Sequence, residues 1–344
     1  MKVMKFGGTS VGSPERMKHV AHLVTKSGEP TFVVLSAMAG TTNSLIEISN
    51  YLYKKNPEGA NEVINLLEAK YFGHVDELYS TDEYKNITRD FLRQEFQYLR
   101  SFTKELFTSF EEKAIVAQGE IISTNMVVNY LKETGINAIL LSAFDFMRTD
   151  KNSEPDSEYI KEKLANVMKQ NEGYQVYVTQ GFICRNAYGE VDNLLRGGSD
   201  YSASLIGAAL SADEIQIWTD IDGMHNNDPR IVDDTEAVHQ LNFEEAAELA
   251  YFGAKILHPT CVQPAKFAGI PVRLLITMDP EAHGTIIDNV IMRGKIKAVA
   301  AKDNITAIKI KSSRMLLATG FLRKIFEIFE SYDTPIDMIA TREV

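Results

Sequence analysis

An α/β fold, with a mainly parallel sheet between layers of helices, follows from three features of the sequence. Short apolar runs such as KVMKF, TFVVLS and PVRLLI alternate with segments of helical periodicity. Some of these runs are continuously apolar, which suits strands covered on both faces. Polar loops rich in glycine and hydroxyl side chains follow several of them, at the end where open parallel sheets bind ligands.

The first strand spans Lys2 to Phe6. Ser13-Pro14-Glu15 then starts a helix, with Ser13 as cap and Pro14 in the first turn. Met17, Val20, Ala21 and Val24 fall at helical spacing. Thr31 to Ser36 reads as a central strand, and the helix after AMAGTTN carries Leu45, Ile48 and Leu52. Asn61 to Tyr130 is a helical layer with a break expected at Gly73-His74. Asn137–Leu141 and Gln175–Thr179 return to the strand pattern, followed by Gly181 and a turn-rich stretch.

Ser199 to Leu210 is a helix full of small residues that permit close packing on the sheet, and Glu214 to Thr219 is a strand ending in TDIDG. Asn242-Phe243-Glu244-Glu245 has capping-box spacing, with a helix expected to about Leu257, before His258-Pro259. A further helix and the strand Pro271–Ile276 follow. From Ile296 the texture changes. Ile305–Ser312 alternates like a half-exposed strand, Gly320–Tyr332 is an amphipathic helix, and Pro335–Thr341 reads as a second strand.

Composition narrows the function. The 344 residues, 44% hydrophobic and 24% charged, describe an ordinary globular chain with room for two or three domains. A formal net charge of −11 argues against a broad nucleic-acid footprint. No apolar segment approaches a membrane span, and the N-terminus lacks the apolar core of a signal peptide. Cys184 and Cys261 lie far apart and form no metal spacing, which fits thiols in a reducing cytoplasm. The seven histidines form no HExxH or similar pair, so no protein-held metal is expected.

Four loops are candidate phosphate and substrate contacts. The first, KFGGTS, nearly reads as a P-loop through Gly7, Gly12 and Ser13, but no lysine precedes that serine. Either it is a glycine turn with a surface lysine, or Lys5 meets phosphate from the strand side while Gly7 and Gly8 bare their N–H groups. SAMAGTTN supplies Ser36, Thr41 and Thr42, or simply begins a helix. RGGSDYSAS combines the fork of Arg196 with Gly197-Gly198 and Ser199-Asp200, where Asp200 is equally suited to cap a helix. TDIDG with NNDPR offers Thr219, Asp220, Asp222 and Arg230 to a ribose, a base, magnesium or phosphate, and is otherwise a solvated acidic loop. Lys255 in FGAKILHP also suits the dipole at a helix end.

In this order, KFGGTS, SAMAGTTN, Gly119-Glu120, RGGSDYSAS, TDIDGM with NDPR, and GAKILHP closely resemble the aspartate kinases of the amino acid kinase family. The resemblance covers essentially the whole chain. It implies the amino acid kinase fold over 1–295, with an aspartate-binding part and an ATP-binding part from about residue 200. Residues 296–344 are similar to the beginning of a ferredoxin-like βαβ regulatory region, the ACT domain, and the chain stops where that domain should continue. The implied reaction is MgATP-dependent phosphorylation of the side-chain carboxylate of L-aspartate, the committed step toward lysine, threonine and methionine.

By the same resemblance, Lys5 and Lys255 contact the transferring phosphoryl group. Because a carboxylate nucleophile needs no general base, Asp200 is expected to act as an organiser, pairing with Lys5 or Lys255, rather than as a proton acceptor. Glu120 holds the substrate amino group, Arg196 holds its α-carboxylate, and Ser36, Thr42, Phe182 and Ser199 line the pocket. Gly7, Gly8, Thr219, Asp220, His225 and Arg230 join the two lysines around ATP. Lysine or threonine is the implied feedback effector, and ACT pairing implies a homodimer. The chain departs from the family pattern at several positions: Leu195 precedes the arginine where glycine is usual, with Asp192-Asn193 upstream instead of threonines, His225 replaces a common tyrosine, and Arg342 stands where serine is common. Kinases of glutamate, N-acetylglutamate, carbamate or UMP are the nearest rivals. The ACT-like tail and the Glu120/Arg196 pair favour a free α-amino acid. A non-catalytic amino-acid sensor would have no need of Lys5, Asp200 and Lys255, and a nicotinamide dehydrogenase would need a GxGxxG loop after the first strand.

Overall fold

The computed structural model describes residues 1–104, 106–194, 197–229, 231–252, 257–292, 296–301, 305–311, 319–336 and 338–341. The chain divides into two units, 1–301 and 302–344. In the first unit the strands are β1 (Lys2–Phe6), β2 (Thr31–Leu35), β3 (Ala138–Leu141), β4 (Val176–Gln180), β5 (Ile183–Arg185), β6 (Val191–Asn193), β7 (Glu214–Thr219), β8 (Gln240–Asn242), β9 (Val272–Ile276) and β10 (Thr285–Asp288). The helices are α1 (Pro14–Thr25), α2 (Thr41–Tyr53), α3 (Pro57–Leu78), α4 (Asp82–Ser101), α5 (Ser109–Glu133), α6 (Ser157–Gln170), α7 (Gly198–Leu210), α8 (Phe243–Tyr251) and α9 (Gln263–Ala268). A 3₁₀ turn, Pro259–Val262, precedes α9.

Eight strands form one sheet in the order β3-β4-β2-β1-β7-β9-β10-β8, parallel except for the β9–β10 pair. Central β1 pairs Phe6 with Leu35 on one side and Trp218 on the other. Leu35 in turn pairs with Gln180. The carboxyl ends of β4, β2, β1 and β7 therefore lie side by side, and the loops leaving them share one edge. Every residue of β2 is buried, as its continuous apolarity demands.

Alternation along β1 separates two cores. Met4 and Phe6 face the cluster built with α1 to α5, whereas Val3 faces the cluster built with α7, β7 and the turn before α9. Lys5 shares the parity of Val3, so its side chain leaves on the α7 face. That single register decides the partner of Lys5.

The sequence reading needs four corrections. No break occurs at Gly73-His74: α3 continues to Leu78, because Ile64, Leu67, Tyr71, Val75 and Leu78 form one buried stripe along it. A single glycine costs a helix about 1 kcal/mol, less than the burial of the two large side chains flanking it. The turn-rich stretch after Gly181 contains the hairpin β5–β6, turned by Asn186, whose Oδ1 accepts from the N–H groups of Tyr188 and Glu190. Helix α8 ends at Tyr251 with its cap at Phe252, short of Leu257.

The fourth correction concerns the second unit. Among its described residues, α10 (Phe321–Ser331) forms as expected, but 305–311 and the described part of 335–341 carry no strand. Ile305 and Ile308 are exposed there. An alternating strand is stable only when ladder partners cover its apolar face, and two strands with one helix supply few. Among the described residues no helix is long and apolar enough to cross a membrane.

Candidate active site

The site begins where β1 gives way to Gly7. Lys5 Nζ lies 2.6 Å from Asp200 Oδ1, with side chains only 11% and 18% exposed. Asp200 sits in the first turn of α7, so a strand lysine and a helix-start carboxylate meet across the α7 face of the sheet. A Cβ on Gly7 would stand 3.4 Å from Lys5 Nζ, which places the ammonium directly over the loop backbone. A Cβ on Gly8 would collide with the carbonyl of Ala37, because the loops after β1 and β2 are held together by an Ala39 N–H bond to the Gly8 carbonyl of 3.0 Å. Glycine at position 8 is required by this close approach.

From Asp200 a chain of contacts runs to Glu120. Ser199 is buried, and its Oγ accepts from Ser36 Oγ at 2.9 Å. Ser36 in turn offers its carbonyl to Ser123 Oγ of α5 at 2.8 Å. The next backbone N–H, that of Ala37, donates to Glu120 Oε1 at 3.2 Å. Glu120 itself is 4% exposed, and its second oxygen, Oε2, is buried with no hydrogen-bonding partner. Burial pushes its carboxyl up to about 7, opposed in part by the Ala37 N–H. Half-buried Thr42 follows in the first turn of α2.

Phe182 closes the same wall. It adopts φ of +66°, and its N–H donates to Ser202 Oγ of α7 at 2.8 Å. Phe182 also packs near Gly198, at the start of the helix that carries Ser199 and Asp200. Gly197 has φ of +72°, and a Cβ there would fall on Cys261 Sγ. Cys261 is fully buried, and burial holds its thiol up at about 12, so it acts as packing rather than as a nucleophile. The turn 259–262 thereby braces the loop that enters α7.

Across β1, the loop after β7 is more open. Thr219 Oγ1 donates to exposed Asp220 Oδ1 at 3.1 Å. His225 is gripped at both ring nitrogens, Nε2 by Asp222 Oδ1 at 2.6 Å and Nδ1 by Thr235 Oγ1 at 2.8 Å. Only the faces of its ring remain for a ligand. Arg196, Arg230 and Lys255, together with Leu195 and Arg342, lie outside the described residues. Among the described residues, no group of three or more His, Cys, Asp or Glu side chains is placed to hold a metal ion.

The structure thus joins Lys5, Gly7, Gly8, Ser36, Glu120, Phe182, Ser199 and Asp200, and sets Thr219, Asp220 and His225 on the other side of β1. Sequence reasoning missed Ala37, Ser123, Ser202 and Cys261. Three of them act through small groups or backbone, which leave no motif. Cys261 stood out only as a thiol, and its contact with Gly197 is tertiary.

Residues 1–275 match the sequence profile of the Amino acid kinase family. The chain belongs to that family. It is 37% identical to aspartokinase 1 of the Arabidopsis thaliana chloroplast over 99% of this chain and 62% of that protein. It is 33% identical to the lysine-sensitive aspartokinase 3 of Escherichia coli over 99% of this chain and 76% of the relative. In structure it is similar to E. coli aspartokinase III in complex with aspartate and ADP, with a TM-score of 0.81, 31% identity, and coverage of 100% of this chain and 77% of that one. The chain therefore spans somewhat under two thirds of the plant relative and about three quarters of the bacterial ones.

Proposed function

We propose that the chain is an aspartate kinase, transferring the γ-phosphoryl group of ATP to the side-chain carboxylate of L-aspartate to give 4-phospho-L-aspartate. The observation that carries this reading is Glu120 Oε2, a buried carboxylate oxygen without a partner, linked by Ala37, Ser36, Ser199 and Asp200 to Lys5. A buried acceptor left unpaired is costly unless a ligand satisfies it. The ammonium of a free α-amino acid does so.

The division of labour follows. Glu120 takes the ammonium, Arg196 the α-carboxylate, and Ser36, Thr42, Phe182 and Ser199 shape the pocket between them. The side-chain carboxylate of aspartate, with a reference pKa of about 3.9, is already ionised at neutral pH, so no general base is needed. One of its oxygens attacks the γ-phosphorus, the bond to the bridging oxygen of ADP breaks, and no proton moves. Catalysis then lies in alignment and in neutralising oxygen charge. Lys5 and Lys255 supply cations, Gly7 and Gly8 supply N–H groups, and Asp200 fixes Lys5 in place. Thr219, Asp220, residues 222–225 and Arg230 hold the nucleotide. Mg²⁺ enters as MgATP, held mainly by phosphate oxygens.

Lysine is the effector favoured by the lysine-sensitive relative, and the tail is read as a pairing surface for a homodimer. The buried free thiols of Cys184 and Cys261 fit a cytoplasmic enzyme. The test traps acyl phosphate with hydroxylamine in the presence of MgATP, comparing L-aspartate, L-glutamate and N-acetyl-L-glutamate. Aspartate-selective hydroxamate that disappears in Lys5→Ala is expected. Selectivity for N-acetyl-L-glutamate, which has no ammonium for Glu120, would refute the assignment.

A further inference from the structure

Residues 296–301 cross the surface of the first unit before the chain enters 302–344. Two contacts on different elements hold them there. Lys297 Nζ donates to Glu245 Oε2 at 2.7 Å, and its side chain is only 14% exposed. Glu245 is the third residue of α8, and the same Oε2 accepts from the Asn242 N–H that caps the helix. Further along, the Val299 N–H donates to the Asn226 carbonyl at 2.8 Å. Asn226 directly follows His225 in the loop after β7.

The segment is not held by tight apolar packing. A cavity of about 280 Å³ lies between it and α8, lined by Leu241, Leu249, Phe252, Ile296 and Ala298 among others. Among the described residues, the two polar anchors are therefore what fix its position. The loop it touches is also held by residues 236–238: Asn226 exchanges hydrogen bonds with Glu236, through its own N–H and its Oδ1, and the Val238 N–H donates to the Met224 carbonyl. The backbone of 224–226 is thus bonded both to 236–238 and to Val299.

We propose that residues 296–300 are a positioning strap for the nucleotide loop, with Lys297 as its anchor. The inference rests on the kinase reading, in which 219–225 meet ATP. Lys297 touches no substrate. By pinning the strap to α8, it presents the Val299 N–H to Asn226 and holds the loop in the form that accepts the nucleotide. A charge-assisted, largely buried contact is of the strength needed.

The experiment titrates MgADP into the full chain by calorimetry, for the wild type, Lys297→Met, Lys297→Arg and Val299→Pro. Aspartate KM and the melting temperature are measured alongside. The expected result is a roughly three- to ten-fold weaker MgADP affinity in Lys297→Met. Lys297→Arg should bind near the wild-type value, and Val299→Pro, which removes the N–H, should weaken binding to a similar degree. Aspartate KM should stay unchanged throughout. Wild-type binding with no loss in Lys297→Met or Val299→Pro would overturn the strap and leave the kinase reading standing. A loss equally large in Lys297→Arg would overturn Lys297 as a charge anchor. Absence of MgADP binding by the wild type would overturn the kinase reading and the strap with it.

Discussion

The two flanks of β1 are built in opposite ways. On the β2 flank, Glu120 is almost wholly buried, and short contacts through Ala37, Ser36 and Ser199 fix it rigidly to α7. On the β7 flank, Asp220 is exposed and His225 is held by side chains of its own and a neighbouring loop. A buried, unpaired charge gives strong discrimination, because the wrong ligand leaves it unpaired. A surface loop discriminates less and yields more readily to movement. On the proposed reading, the β2 flank is suited to selectivity for aspartate and the β7 flank to control through the nucleotide.

The largest effect is expected where the flanks meet. Lys5→Ala removes the cation and leaves Asp200 without its ion pair, and kcat should fall on the order of 10²- to 10³-fold. A fall below ten-fold would mean that Lys5 only braces α7.

Glu120→Gln tests the buried flank alone. The amide can still accept from the Ala37 N–H, but it turns a donor toward the substrate ammonium. Aspartate KM should rise on the order of 100-fold with nucleotide KM unchanged. The pH dependence gives an independent sign. Because the Glu120 carboxyl is raised from 4.5 to about 7, the folded protein keeps this proton where the unfolded chain has lost it. Its contribution to stability is complete below about 4.5 and is lost as pH rises through about 7. Aspartate binding needs the carboxylate, so affinity should increase as pH rises toward 7 and level off above it. Glu120→Gln should flatten that profile and raise the melting temperature at pH 8. A profile unchanged by the substitution would remove Glu120 from the ammonium site.

A smaller effect is expected at Gly197. Gly197→Ala places a methyl on Cys261 Sγ and strains a backbone at φ of +72°. Displacement of the loop entering α7 should raise aspartate KM roughly ten-fold through the carboxylate clamp. Adding Cys261→Gly removes the clash but not the strain, so about half of the loss should return. Full recovery in the double variant would show that only the clash mattered, and no recovery would show that Cys261 does not brace the loop.

Much of this was legible in the sequence, for reasons that differ by residue. The strand β2 announced itself by an unbroken apolar run, and Ser13 and Asn242 marked helix starts because caps are local chemistry. The loops KFGGTS and RGGSD stood out because glycines bare the backbone. The pairing of Asp200 with Lys5 was one of two expectations, and the parity of β1, which turns Lys5 to the α7 face, is what allows it. The orphaned oxygen of Glu120 was beyond reach, since an empty hydrogen-bonding position is a property of packing. Likewise nothing local distinguishes Ala37 from ordinary small residues, and the thiol that marks Cys261 says nothing of its contact with Gly197.

Gly73 shows the opposite error, a local signal overruled by packing, and it provides the smallest and cleanest prediction. It lies on the exposed side of α3, within a helix that packs on α2. A Cβ there would meet no other atom within 4 Å. Gly73→Ala should therefore stabilise the protein by about 0.5–1 kcal/mol, by lowering the backbone entropy of the unfolded chain and raising helix propensity. Denaturant unfolding should show a higher midpoint with an unchanged slope. Helix α3 meets the loop after β2 through Tyr71, which bonds Thr41 Oγ1, and Lys70, which donates to the Ala39 carbonyl, whereas Gly73 lies on its exposed side; neither aspartate KM nor nucleotide KM should therefore move. A gain in stability accompanied by a change in aspartate KM alone would show that the buried flank is not rigid but answers to the helices behind it.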